Sequence, residues 1–310
     1  MPKKKVKLAL STSWWGFSQS RIDKVFKEIG ELGFEQAELG FSLTKKALEK
    51  ITKLSRKSSL EIASLHNFCP IPDGLAPEDA LPDCYSLASR DEDERKTAVF
   101  FTKQTIDYCR KLNAKAVVLH LGRVKMEDET RSLIQLYHEG LTNDTQYILL
   151  KEKMRLEREK EAEPYFAQAL KSLKELSQYA QELNVALGVE NRFYFREIPG
   201  FEEFKVIFEI FKNNNVFYWH DTGHARVAAN LGFVNSEDDF LINYGARLIG
   251  MHLHDVKGCR DHLAPCRGEL DFNKFKFYAG QSVIKVIEAH YPARREEIIK
   301  AKKHLEAIFS

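Results

Sequence analysis

The feature that most constrains this chain is an alternation that runs its whole length: short β-prone runs separated by longer stretches with helical spacing. The β-prone runs are VKLAL (6–10), FEQAEL (34–39), LEIASLH (60–66), AKAVVLH (114–120), VALGVE (185–190), VFYWHD (216–221), RLIGMHLHD (247–255) and SVIKVIE (282–288). Between them, RIDKVFKEIGELG sets Ile22, Val25, Phe26 and Ile29 on one stripe and stops at Gly33. KKALEKITKLSRK, DERKTAVFFTKQTIDYCRKLN and FEEFKVIFEIFKN also read as helices, and ARREEIIKAKKHLEAIF closes the chain as a final one. A strand followed by a helix, eight times over, predicts an α/β fold of the (β/α)8 TIM-barrel type, as one domain over residues 1–310. A doubly wound open sheet is the alternative. It calls for a Gly-rich phosphate turn after the first strand, and STSWWGF is not one.

Two stretches depart from a minimal barrel. Residues 67–92, rich in Pro and Asp, read as a long ordered loop over one mouth. Residues 124–165, after the fourth strand, read as an inserted helical stretch whose charges form a solvated face. A lid or an arm for a homo-oligomer is the other use of such an insertion.

Composition narrows the partners. Net charge is +2, from 47 basic and 45 acidic residues, which gives no general attraction to nucleic acid. The five cysteines, Cys69, Cys84, Cys109, Cys259 and Cys266, form no CxxC, so a reducing cytoplasmic location is expected. No apolar run approaches the roughly 20 residues of a membrane span. The opening PKKKVK reads as a basic lead-in to the first strand rather than as a signal peptide.

In a barrel of this type the active site lies at the C-terminal ends of the strands. His66 and His120 end the third and fourth runs, Glu190 the fifth, Asp221 the sixth and Glu288 the eighth, with His252 and His254 near the end of the seventh. Glu190 and Asp221 are 31 residues apart, Asp221 and His252 another 31, and His252 and Glu288 36, each interval suiting one βα unit. Two carboxylates, an imidazole and a third carboxylate make an oxygen-rich donor set for Mn, Mg or Co. His66, His120, His224 and His262 are further imidazoles that shift the preference toward Zn. His220 is expected to face away from its neighbour Asp221, since successive strand residues point to opposite sides. His138, His290 and His304 read as ordinary surface residues.

VENR, WHDTGHA, HLHD and DHLAPCRGELD resemble the xylose-isomerase-like TIM barrels, a superfamily of sugar isomerases, epimerases, inosose dehydratases and endonuclease IV. The resemblance implies one metal held by Glu190, Asp221, His252 and Glu288. By likeness to endonuclease IV it also implies further ligation by His66, His120, His224 and His262. Two departures stand out: CRDHL has Arg260 where a first Asp belongs, with Asp261 displaced by one, and Cys266 replaces a common glycine.

The chemistry expected first is isomerisation or epimerisation of a sugar, sugar phosphate or polyol, with Glu190 and Glu288 as base and acid across a divalent metal. His224 and His254 are expected to touch substrate. Lys257, Arg260 and Arg267 would face a phosphate or carboxylate, and Trp14, Trp15, Phe68, Phe193 and Tyr194 would wall a ring. The alternative is hydrolysis of a phosphodiester, small rather than duplex DNA. Cobamide-remodelling phosphodiesterases are one branch of the superfamily with that chemistry. A third reading is a metal-free binding scaffold, in which Glu190, Asp221 and His252 bond to one another with no room for an ion.

Overall fold

The computed structural model describes residues 6–15, 22–76 and 78–310; the basic lead-in at 2–5 and the end of STSWWGF lie outside the described residues. The strands are β1 (Ala9–Ser11), β2 (Gln36–Leu39), β3 (Glu61–His66), β4 (Ala116–Leu119), β5 (Ala186–Glu190), β6 (Val216–Asp221), β7 (Leu248–Leu253), β8 (Asp255–Lys257), β9 (Arg260–Leu263) and β10 (Ile284–Ile287). All but β8 and β9 close into one parallel barrel in the order β1-β10-β7-β6-β5-β4-β3-β2. Around it lie α1 (Ile22–Glu31), α2 (Lys45–Ser55), α3 (Glu92–Lys111), α4 (Thr130–His138), α5 (Thr145–Glu182), α6 (Phe201–Ile210), α7 (Thr222–Asn230), α8 (Asp239–Tyr244) and α9 (Arg295–Phe309).

The seventh unit departs from the expected strand-then-helix pattern. The run 247–255 splits after Leu253, and an antiparallel β8–β9 hairpin rises from the mouth where a helix was expected. Gly258, His262 and Cys266 all hold positive φ (60°, 52° and 75°), a left-handed geometry that cannot continue a helix. The insertion also differs in its boundary. No break falls at residue 165; α5 runs unbroken through Pro164 to Glu182, so the inserted stretch and the barrel helix are one element. Buried Arg95 ties this helix to α3, reaching Glu175 at 2.9 Å and Glu92 on its own helix. No helix among the described residues is long and apolar enough to cross a membrane.

The barrel interior is filled by one large ring. Trp219 packs with Ala9, Ala63, Ala116, Val118, Ile284 and Val286. Gly188 and Gly250 on the flanking strands leave it space: a Cβ on Gly250 would lie 2.1 Å from the Trp219 ring, and one on Gly188 2.9 Å. Trp219 also touches His252 edge-on at 5.1 Å, making it the floor of the polar mouth above.

Lys285 is buried in β10, and among the described residues its only partners are the carbonyls of Gly280 and Val283. Burial pushes its ammonium down from 10.5 to about 8. Below pH 8 the folded and unfolded chains both carry this charge, and the folded one bears the desolvation cost. Stability should therefore rise as pH climbs from about 8 to 10.5. Lys285→Met is expected to raise stability at pH 7 by roughly 1–3 kcal/mol and to flatten that rise. Denaturant melts at pH 7 and 10 check both, and an unchanged slope would remove Lys285 from the account.

Candidate metal centre

Each barrel strand points alternate residues inward, and at the C-terminal end the inward positions turn polar. Glu38, His66, His120, Glu190, Asp221, His252 and Glu288 all meet there, buried. Glu190, Asp221, His252 and Glu288 each offer a ligand atom within 4.8 Å of the others. His66, His120 and Glu190 form a second such group, Asp221, His224, His254 and His262 a third, and His262, Glu288 and His290 a fourth. All eight candidate ligands thus sit in one mouth, with Glu190, Asp221, Glu288 and His262 each shared by two groups.

Local sequence fixes their aim. Asp221 is the last residue of β6 and the N-cap of α7; its carboxylate accepts the His224 backbone N–H at 2.7 Å. Asn191 pins the same junction, accepting the Asp221 N–H at 2.7 Å and donating to the Asp221 carbonyl at 2.9 Å. Thr222 donates toward the carbonyls of His252 and His254. Gly223 is demanded by His254, whose ring would lie 2.0 Å from any Cβ there. His220 faces the helices as expected, bonded to Tyr218 and tilted against Phe275.

Protonation follows from the partners. The Nδ1 atoms of His66 and His224 face the backbone carbonyls of Asn67 (3.1 Å) and Asn191 (3.0 Å). A carbonyl only accepts, so each Nδ1 carries the proton and, in a neutral ring, each Nε2 is a bare lone pair. His66 Nε2 then faces a Glu190 oxygen at 3.6 Å, and His224 Nε2 faces an Asp261 oxygen at 3.8 Å. Lone pair against carboxylate is repulsive unless a cation or proton sits between them. His120 Nδ1 and Asp83 Oδ1 face each other at 4.0 Å, too far for a direct hydrogen bond, and neither has a hydrogen-bond partner among the described residues. With the proton on Nδ1, the His120 Nε2 atom, now 2.7 Å from Glu190, would be free for a cation.

Charge makes the same demand. Glu38, Glu190 and Glu288 surround one imidazole: His252 Nε2 lies 3.1 Å from Glu38, and Nδ1 lies 2.5 Å from Glu190 and 3.0 Å from Glu288. Burial lowers the His252 imidazolium, but Glu288, Glu38 and Glu190 outweigh it and hold it well above the usual range. Burial raises Glu190, but the His252 charge and the His120 and His252 rings, at 2.7 and 2.5 Å, outweigh it and keep it well below the usual range. Burial, helped by Arg192, pushes His120 down to about 3. Burial also lowers His262, but Asp261 at 2.9 Å raises it to about 9. The imidazoliums of His252 and His262, with Arg192 at 3.3 Å from Glu190, are outnumbered by the carboxyl groups of Glu38, Glu190, Asp221, Asp261 and Glu288, so the donor set fits one or more divalent cations.

A cavity of about 570 Å³ opens onto these groups. Its walls include Phe41, His66, His120, Arg131, Glu190, Arg192, Phe193, Tyr194, His224, Arg260, His262, Glu288 and His290. Phe193 and Tyr194 stand where a ring wall was expected. Trp14 and Phe68 do not line the cavity: the Trp14 indole donates to the Ala293 carbonyl, and Phe68 is core, packed on Phe101. His254 is also withdrawn from substrate. Its Nδ1 accepts the His262 N–H at 2.9 Å, which puts the ring proton on Nε2, 2.9 Å from Asp221. Lys257 and Arg267 line a neighbouring cavity instead.

His290, expected on the surface, stacks on His262 at 3.9 Å, with Nε2 3.9 Å from Glu288. Sequence reasoning passed over Glu38, whose strand ends on apolar Leu39, although the inward alternation of FEQAEL pointed to it. It also passed over Asp83, on a loop with no periodicity to read, and Arg192, which reaches Glu190 at 3.3 Å and Glu197 at 2.7 Å.

Comparison with known proteins agrees with this architecture. The sequence profile described as xylose isomerase-like TIM barrel matches residues 26–307. An uncharacterised protein of Methanocaldococcus jannaschii is 23% identical over 211 residues, a match spanning 67% of this chain and 62% of that protein. Among solved structures, the apo 3-keto-D-glucoside 4-epimerase of E. coli superposes with a TM-score of 0.68 at 14% identity, covering 98% of this chain and 100% of that one. The IOLI protein, solved with a zinc atom bound, superposes with a TM-score of 0.66 at 16% identity, covering 98% of each chain. At these identities the superpositions speak to the fold alone.

Proposed function

The chain belongs to the xylose isomerase-like TIM barrel family, and we propose that it is a divalent-metal hydrolase of a small phosphodiester, working at the C-terminal mouth of the barrel. The observation that carries this reading is the sharing of donors: Glu190 stands in both the four-donor group and the His66–His120 group, as a bridging carboxylate does between two cations. A single-metal isomerase needs only the four-donor group to hold its ion. Cations held by Glu190, Asp221, His252 and Glu288 and by His66, His120 and Glu190 would supply Lewis-acid stabilisation of the charge that builds on the phosphoryl oxygens. Zn suits the imidazole-rich group, and Mn, Co or Mg the carboxylate-rich one.

The protein's own groups supply the rest. In the reaction, water adds to phosphorus, the bond from phosphorus to one alcohol oxygen breaks, and that oxygen leaves with a proton. Arg131, Arg192 and Arg260 line the cavity and give fixed positive charge to an anionic substrate. Phe41, Phe193 and Tyr194 shape its apolar side. The barrel floor at Trp219 closes the site from below and keeps bulk water to one face.

The second reading, epimerisation of a sugar, rests on the four-donor group taken alone, with Glu190 and Glu288 flanking one position at His252. Fold neighbours that are sugar epimerases support it. The contacts of His252 with Glu190 and Glu288 are also what a metal-free scaffold would show, provided a proton takes the place of the cation in the contacts at His66 and His224.

Elemental analysis of the purified protein and assays on two probes separate these. Two or more metal ions per chain, with bis(4-nitrophenyl) phosphate turnover abolished by chelation and restored by Zn or Mn, is the expected result. One ion per chain with deuterium exchange at the carbon next to a ketose carbonyl would replace hydrolysis by epimerisation. No metal after supplementation would sink both.

A further inference from the structure

A second cavity, also about 570 Å³, adjoins the metal mouth and shares Arg260, Asp261, His262 and His290 with it as a common wall. Its own walls come from the β8–β9 hairpin, the 264–267 turn and the start of α9. It is unevenly charged. Four basic side chains line it, Lys257, Arg260, Arg267 and Arg294, against two carboxylates, Asp261 and Glu297.

Both carboxylates are already engaged. Glu297 takes Arg267 at 2.9 Å and Arg294 at 3.6 Å, and Asp261 takes His262 at 2.9 Å. Lys257 and Arg260 have no acidic partner within ion-pair distance among the described residues, and both are exposed on the hairpin that separates the two cavities. Exposed cations with no carboxylate to meet, placed on one wall of a concave site, are arranged for an anion from outside. The α9 N-terminus opens on the same cavity and adds its partial positive charge.

We propose that this annex binds a second phosphate group of the substrate, held by Lys257 and Arg260, while the scissile phosphodiester lies in the metal mouth. The substrate class is then a small, nucleotide-like phosphodiester that carries a separate phosphomonoester. Naming that class rests on the hydrolytic reading; the anion site itself does not.

The test uses the full-length protein and inorganic phosphate as the probe. In chelator-treated protein no metal can capture phosphate, so calorimetric titration reads the basic side chains of the two cavities, and Lys257→Ala alone, whose side chain lines only the annex, should already weaken binding. Phosphate should bind at millimolar concentration, and the double variant Lys257→Ala, Arg260→Ala should weaken it by about 10-fold or more, since hydrogen bonds from charged groups are each worth that much. Both side chains are exposed, so the melting temperature of the double variant should stay that of the parent, which excludes misfolding as the cause. Equal phosphate binding by parent and variant, or none by the parent, overturns the proposal. Turnover of bis(4-nitrophenyl) phosphate, which lacks a second phosphate, reports the metal mouth alone. Phosphate binding without that turnover leaves the annex standing and removes the hydrolytic reading; turnover without phosphate binding does the reverse.

Discussion

Glu190→Gln is expected to lower turnover by about 10³-fold or more, to remove at least one metal ion per chain, and to leave the fold intact. The amide matches the carboxylate in shape, so packing around this buried side chain survives. What it loses is the negative charge shared between His252 on one side and His66 and His120 on the other. An amide offers one neutral oxygen, which cannot hold a cation against several imidazoles at once. Metal content by elemental analysis, activity, and far-ultraviolet circular dichroism measured on one preparation decide the matter. Activity within a few-fold of the parent, with metal retained, would strip Glu190 of its bridging role. Asp221→Asn makes the contrast. Its carboxylate belongs to the groups containing His252 and His224 but not to the His66–His120 group, so that variant should keep the metal bound there.

Gly250→Ala is expected to be strongly destabilising. Its Cβ would fall 2.1 Å from Trp219, a ring enclosed on all sides by the barrel and unable to swing away. Overpacking of this sort costs about 1–3 kcal/mol or more. Because Trp219 lies directly under His252, the strain should also disturb the metal mouth. Trp219→Leu alone removes the ring and leaves a cavity, at about 3 kcal/mol. The double variant Gly250→Ala, Trp219→Leu should be more stable than the two single losses predict, since the added methyl occupies space the ring vacated. Denaturant unfolding of all four proteins measures this coupling. Simple additivity would show that the Gly250–Trp219 contact does not govern the packing.

The metal mouth was legible in the sequence to the extent that it follows strand ends. Glu190, Asp221 and Glu288 each close a β-prone run and His252 lies near the end of another, and the barrel brings those ends together. Legibility weakened wherever the chain leaves that rule. His262, named by family likeness and not by a strand end, reaches the mouth from a hairpin where a helix was expected, while His290, read as a surface residue, enters from the segment after β10. Asp83 arrives on a loop whose path no periodicity describes. His254 sits on a predicted strand end, yet a single backbone N–H from His262 sets its tautomer and turns it into a donor to Asp221. Trp14 and Phe68 were read as ring walls because an aromatic in sequence carries no sign of which cavity it will face.

The sequence by itself determined the alternation of strands and helices, the parallel barrel that such alternation builds, and the polar character of its C-terminal mouth. Those properties are local: a period of two along a strand and 3.6 along a helix is written in neighbouring residues. Only the tertiary structure decided which donors share a cation site, that Glu190 stands between two groups, and that the hairpin opens a basic annex beside them. Such relations depend on the closing of the barrel to within an ångström. That closing is set by how Trp219, two glycines and a ring of alanines fill its interior, a packing outcome that no single stretch of the chain contains.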